Sequence, residues 1–192
     1  MVGVTMNRQV RTETPSRSVS WPVRSGAVPP LAECFISRPE TGLDTARGLA
    51  AGAIVVMTQP AGSAQAEAQP QAGLGGTGKT QLAVALANVL WRSREVDLLA
   101  WVPAASRDTV ITGYAQALAA AGAPGAGADP ETAAASFLRW LATTSQPWLV
   151  VLDDLADTAD LDRLWPLGAA GMVLVTTRLP ASAVGGPGRR PS

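Results

Sequence analysis

The sequence predicts an α/β domain, a three-layer sandwich around a mostly parallel sheet, and three observations carry that prediction. Short aliphatic runs, Ala53–Met57, Asp97–Val102, Pro147–Asp154 and Met172–Arg178, recur along the chain. Segments with helical signals separate most of them, and strands alternating with helices imply right-handed crossovers between parallel strands. The runs are apolar on successive residues rather than on alternate ones, as strands buried on both faces are. In such folds ligands gather outside the carboxyl ends of the strands.

Residues 1–30 mix Arg, Ser, Thr and Pro without periodicity and close on Pro29-Pro30, so a flexible arm is expected there. Residues 31–178 then form the domain. A short helix is expected near Thr41–Leu49, before the strand Ala53–Met57. Residues 59–72 are low in complexity and read as an insertion. About a dozen extra loop residues cost only around 1 kcal/mol of closure entropy, so the segments on either side can still meet.

Beyond Thr80, Leu82, Leu86 and Leu90 recur at helical spacing with Ala83 and Ala87 beside them, which predicts an amphipathic helix of about four turns. Asp97–Val102 is stopped as a strand by Pro103. Asp108 is the expected N-cap of the next helix, and Asp129-Pro130 supplies a cap followed by proline at the first helical position. Asp157 is placed to cap a short helix that ends before Pro166. Residues 179–192, rich in Gly, Pro and Arg, are expected to be a disordered tail.

Composition removes several function classes. The formal net charge is +0, so no electrostatic case exists for a nucleic-acid partner. The chain has no His and a single Cys, Cys34, which excludes an internal disulfide, a zinc centre built on these residue types, and Ser-His or Cys-His catalysis. The apolar run Gly48–Met57 is about half the roughly 20 residues needed to cross a bilayer. A cytoplasmic protein with no membrane partner is expected.

The stretch Gly73-Leu74-Gly75-Gly76-Thr77-Gly78-Lys79-Thr80 satisfies the phosphate-binding pattern G-x-x-x-x-G-K-[ST] at every fixed position. Glycines let the chain wrap a phosphate chain with backbone N–H groups, and the helix that follows points its dipole at the same anion. Lys79 would reach the terminal phosphates, the Thr80 hydroxyl would ligate Mg²⁺, and Gln81 follows in the first turn. Of the 15 Lys and Arg residues, Lys79 is the one lysine. A slim ammonium is kept where the planar fork of Arg would not fit.

A second signature lies at Leu149–Asp154, where four aliphatic residues precede Asp153 and Asp154. Asp153 at a strand tip suits Mg²⁺, and Asp154 would orient or deprotonate an attacking water. Arg178, after Thr176-Thr177, is placed to meet a γ-phosphate. Trp101 and Trp148 sit inside apolar strands and are expected in the core.

With Leu98–Val102 between them, these segments line up in order, and the set resembles the NB-ARC domain of the STAND class of P-loop signalling ATPases. The wording is similar to the actinobacterial branch, whose members often carry repeats after the ATPase. The resemblance spans about Pro30 to Arg178. It implies a P-loop NTPase fold and an ADP/ATP-binding, Mg²⁺-dependent switch with slow hydrolysis. Full-length members engage protein partners or assemble as homo-oligomers. It also implies that Arg38, in Ser37-Arg38-Pro39-Glu40, stands near the nucleotide in place of the family's Gly-Arg-Glu element. The family's fifth strand and later segments do not follow Arg178, so a truncated member with a sheet incomplete at one edge is expected. Two other readings stay open. One is a conventional P-loop ATPase, against which Asp154 in place of a Glu argues mildly. The other is a non-catalytic interaction fragment that no longer binds nucleotide.

Overall fold

The structure is a computed structural model that describes residues 19–32, 52–58, 78–180 and 183–184. Among them the chain forms, in order, β1 (Val23–Ser25), β2 (Ile54–Met57), α1 (Gly78–Arg92), β3 (Leu98–Pro103), α2 (Arg107–Ala120), α3 (Pro130–Thr143), β4 (Trp148–Leu155), a 3₁₀ turn (Thr158–Leu161) and β5 (Gly171–Thr177). The strands make one sheet in the order β1-β3-β4-β5-β2, every pair parallel. The α/β class expected from the aliphatic runs is the class observed.

Successive strand residues point to opposite faces, and both faces are covered. Leu98, Ala100, Val102, Trp148, Val150, Leu152, Val173 and Val175 meet Val110, Ile111, Tyr114 and Leu118 of α2 and Phe137 and Leu141 of α3. The intervening residues, Leu99, Trp101, Leu149, Val151, Met172 and Leu174, meet Ala83, Val84, Leu86, Ala87 and Leu90 of α1. Three layers result. Trp101 and Trp148 are both buried in the core, as expected. At Gly171 a Cβ would run into the Trp148 ring, so the indole lies flat over a position only glycine can fill.

The helix starts follow local chemistry. Asp129 caps α3, accepting from the Thr132 amide, with Pro130 at the first helical position. Asp157 caps the 3₁₀ turn through the Ala159 amide. The start of α2 differs from expectation: Ser106 is the cap, in a reciprocal box with Thr109, and Asp108 falls in the first turn. A cap two residues upstream gives up Asp108 as a capping group and keeps it as a favourable charge near the helix N-terminus.

Both ends of the domain carry more structure than composition suggests. Val23–Ser25, inside the stretch expected to be an arm, is a strand in register with Leu98–Ala100. Val23 and Ser25 are buried, while Arg24 lies 4.3 Å over the Trp91 ring of α1. Gly26 turns the chain away with φ +80, where a Cβ would strike the Trp101 carbonyl. In the stretch expected to be a tail, Leu179 packs against the larger core cluster and Val184 is buried in it. The expected helix at Thr41–Leu49, the 59–72 insertion and Cys34 lie outside the described residues.

Candidate functional site

Three elements end at one point on the carboxyl edge of the sheet. The first turn of α1 supplies Gly78, Lys79, Thr80 and Gln81, the tip of β4 supplies Asp153 and Asp154, and the end of β5 supplies Thr176 and Arg178. Gly73, Leu74, Gly75, Gly76, Thr77 and Arg38 lie outside the described residues.

The centre is Asp153. Its Oδ1 accepts from the Thr80 hydroxyl at 2.9 Å and from the Thr176 hydroxyl at 2.6 Å. The first bond spans 73 residues of sequence and ties the helix start to the strand tip. The backbone of Asp153 stays in the sheet, since its carbonyl accepts from Ala104 N at 2.7 Å. The main chain is therefore held on the β3 side while the carboxylate faces α1.

One residue before Thr80, the Lys79 ammonium is buried, with no hydrogen-bond partner among the described residues. A buried, unpaired ammonium is expensive unless an anion arrives to pair with it. That orphan is the feature of the structure that best fits a phosphate. Among the described residues no cluster of three or more acidic, His or Cys ligands exists. A cation held by Thr80 and Asp153 would take its other oxygens from phosphate and water, which suits Mg²⁺ better than a protein-only cage.

Asp154 leaves the sheet by a different route. Leu152 pairs with Val175 and Leu155 with Thr177, so Asp153 and Asp154 together oppose the single residue Thr176. Asp154 takes φ +57, in the left-handed region, and its amide donates to Thr176 Oγ1 at 2.8 Å. The bulge turns the Asp154 side chain outward, where Arg178 Nε stands 3.8 Å from Oδ1 with both side chains largely in solvent. Such a pair contributes little stability and is easily exchanged.

Gln81 is engaged elsewhere. Its Oε1 accepts from Ala32 N at 2.6 Å, and its Nε2 donates to the Pro30 carbonyl at 3.3 Å. The side chain staples the segment after β1 to the first turn of α1, so its amide is committed to the fold, although sequence placed it beside a nucleotide. Thr176 is the opposite case, a central residue that motif reading passed over. The signal available was a pair of hydroxyls ending an otherwise aliphatic strand.

No protein-family model matches this chain, and no curated protein is significantly similar to it. The likeness to NB-ARC domains therefore rests on the motifs alone. Among the described residues no helix is long and apolar enough to cross a membrane.

Proposed function

We propose that this chain binds ADP and ATP with Mg²⁺ at the carboxyl edge of its sheet, as a P-loop nucleotide switch of the NB-ARC kind with slow hydrolysis. The observation that carries the proposal is the 2.9 Å bond from the Thr80 hydroxyl to Asp153. It joins the two residues that the phosphate-loop and aspartate motifs assign to one cation, from distant parts of the chain. The buried Lys79 ammonium, one residue before Thr80 and without a hydrogen-bond partner among the described residues, supplies the charge a phosphate needs.

In this proposal Lys79 pairs with the phosphates, and Thr80 and Asp153 hold Mg²⁺, which neutralises phosphate charge when bound. Asp154 orients water and Arg178 meets the γ-phosphate. Their mutual contact at 3.8 Å, largely in solvent, is weak enough for both to turn to the nucleotide. The partner called for is the nucleotide, in a cytoplasmic setting. A protein partner or further copies of the chain would receive the output of the switch.

Thermal unfolding with and without nucleotide tests this. ADP or ATP with Mg²⁺ at a hundredfold over Kd is expected to stabilise the protein by about 2.7 kcal/mol. Lys79→Ala is expected to remove that gain while the nucleotide-free protein melts at or above the wild-type temperature. No shift with either nucleotide sinks the proposal in favour of a non-binding interaction fragment. Turnover of several per second or faster (on the order of conventional ATPase rates) would favour a working ATPase instead.

A further inference from the structure

We infer that Thr176 is a positioning residue for the Mg²⁺ site, its one hydroxyl setting the orientation of Asp153 and the path by which Asp154 leaves the sheet; this rests on the nucleotide-binding reading above. The hydroxyl is 2.6 Å from Asp153 Oδ1 and 2.8 Å from the Asp154 amide nitrogen, and the residue is buried at 2% exposure. The directions of these bonds are fixed by chemistry. The amide can only donate, so Oγ1 accepts from it, and the single hydroxyl hydrogen is left for the carboxylate. Thr176 thus offers its only proton to the acid that Thr80 also binds.

Its neighbour shows that this is more than satisfaction of a buried hydroxyl. Thr177 is equally buried, but its hydroxyl donates to the Leu155 carbonyl at 2.7 Å and accepts from Leu179 N at 3.0 Å, so it serves backbone alone. Thr176 instead stands opposite both acids at the bulge. With its hydroxyl gone, the Asp154 amide loses its acceptor at a backbone already held at φ +57, and the Asp153 carboxylate is free to rotate about its remaining bond to Thr80. A ligand whose orientation is set by an outer hydrogen bond loses affinity for its metal when that bond is removed.

Thr176→Val keeps the shape and removes the hydroxyl. Nucleotide affinity in EDTA is expected to stay at the wild-type level, while the Mg²⁺ concentration needed for half-maximal binding rises about tenfold or more. Thr176→Ser is expected to restore it, and Thr177→Val to leave it unchanged. Independently of any nucleotide, hydrogen exchange at the Asp154 amide is expected to speed up in Thr176→Val and return in Thr176→Ser. Should the valine variant not fold, Thr176→Cys, of similar size and a poor donor, is expected to show the same order. An unchanged Mg²⁺ requirement, or an unchanged Asp154 exchange rate, overturns the assignment. Wild-type protein that binds no nucleotide in either buffer overturns the nucleotide-binding reading and the metal role of Thr176 with it. The exchange rates of the same samples then decide the hold on Asp154 by themselves.

Discussion

The two faces of the sheet are built from different materials. Under α2 and α3 lie large side chains, Tyr114, Phe137, Leu118, Leu141 and Trp148, in the more extensive of the two core clusters. Under α1 the helix contributes mainly small ones, Ala83, Val84 and Ala87 with Leu86 and Leu90. A fully buried Leu or Phe side chain contributes about 1.5–3 kcal/mol, so the α2–α3 face carries most of the stability. Alanines let a helix backbone lie close to a sheet. On the α1 face that closeness is what brings the Thr80 hydroxyl within hydrogen-bond reach of Asp153. One face keeps the domain folded and the other sets the site, and substitutions can separate them.

The largest effect is expected from Phe137→Ala, which empties a fully buried aromatic position between Tyr114 and Trp140. Urea unfolding should show a loss of about 3–5 kcal/mol. Nucleotide affinity of the protein that remains folded should stay near wild type, because among the described residues the Phe137 ring packs with Tyr114 and Trp140 and not with Lys79, Thr80 or Asp153. If affinity falls in step with stability, the two faces are not independent.

A smaller loss, about 1–3 kcal/mol, is expected from Ala87→Leu, which overfills the close contact of α1 with the sheet. Here binding should suffer as well. Lifting the helix moves Thr80 away from Asp153, so the Mg²⁺-dependent part of the affinity falls more than the part measured in EDTA. A stability loss of the same size without that change would show that the helix start is held by other contacts.

Tyr114→Phe sharpens the comparison at the low end. The phenol donates to the Leu164 carbonyl at 3.0 Å in a buried setting, and removing it should cost about 1–2 kcal/mol without touching nucleotide binding. Burial pushes the Tyr114 hydroxyl well above its ordinary pKa of 10.0. A group with a raised folded-state pKa stabilises fully below its unfolded value and loses that contribution as pH rises beyond it. The stability gap between wild type and Tyr114→Phe should therefore be constant below about pH 10 and close above it.

The sheet was legible in the sequence because strands buried on both faces must be aliphatic throughout, and Leu98–Val102, Leu149–Leu152 and Val173–Val175 are. The meeting of Thr80 and Asp153 was legible because the phosphate-loop and aspartate motifs assign both to one cation, and the fold brings the two into contact. The rest had weaker signals. Val23–Ser25 is too short to show a period, and only its pairing with Leu98–Ala100, distant in sequence, makes it a strand. Ser106 and Asp108 are both good caps, and the choice between them depends on Thr109 closing the box. Gln81 has nothing in its sequence neighbourhood to announce its bonds to Pro30 and Ala32. Thr176 depends on a bulge in a strand on the other side of the pairing, which no local pattern encodes.

The strand order has a consequence for how the chain is made. β2 finds its partner in β5, which begins at Gly171, and β1 finds its partner in β3. On a ribosome, Ile54-Val55-Val56-Met57 therefore emerges and waits, uncharged and without a proline, while α1, β3, α2, α3 and β4 are synthesised. Short aliphatic segments of this type are the ones most prone to pair with another chain. Nascent chains halted before Gly171 should depend on chaperones and collect in aggregates more than chains released past Thr177, in which one edge of β2 is paired.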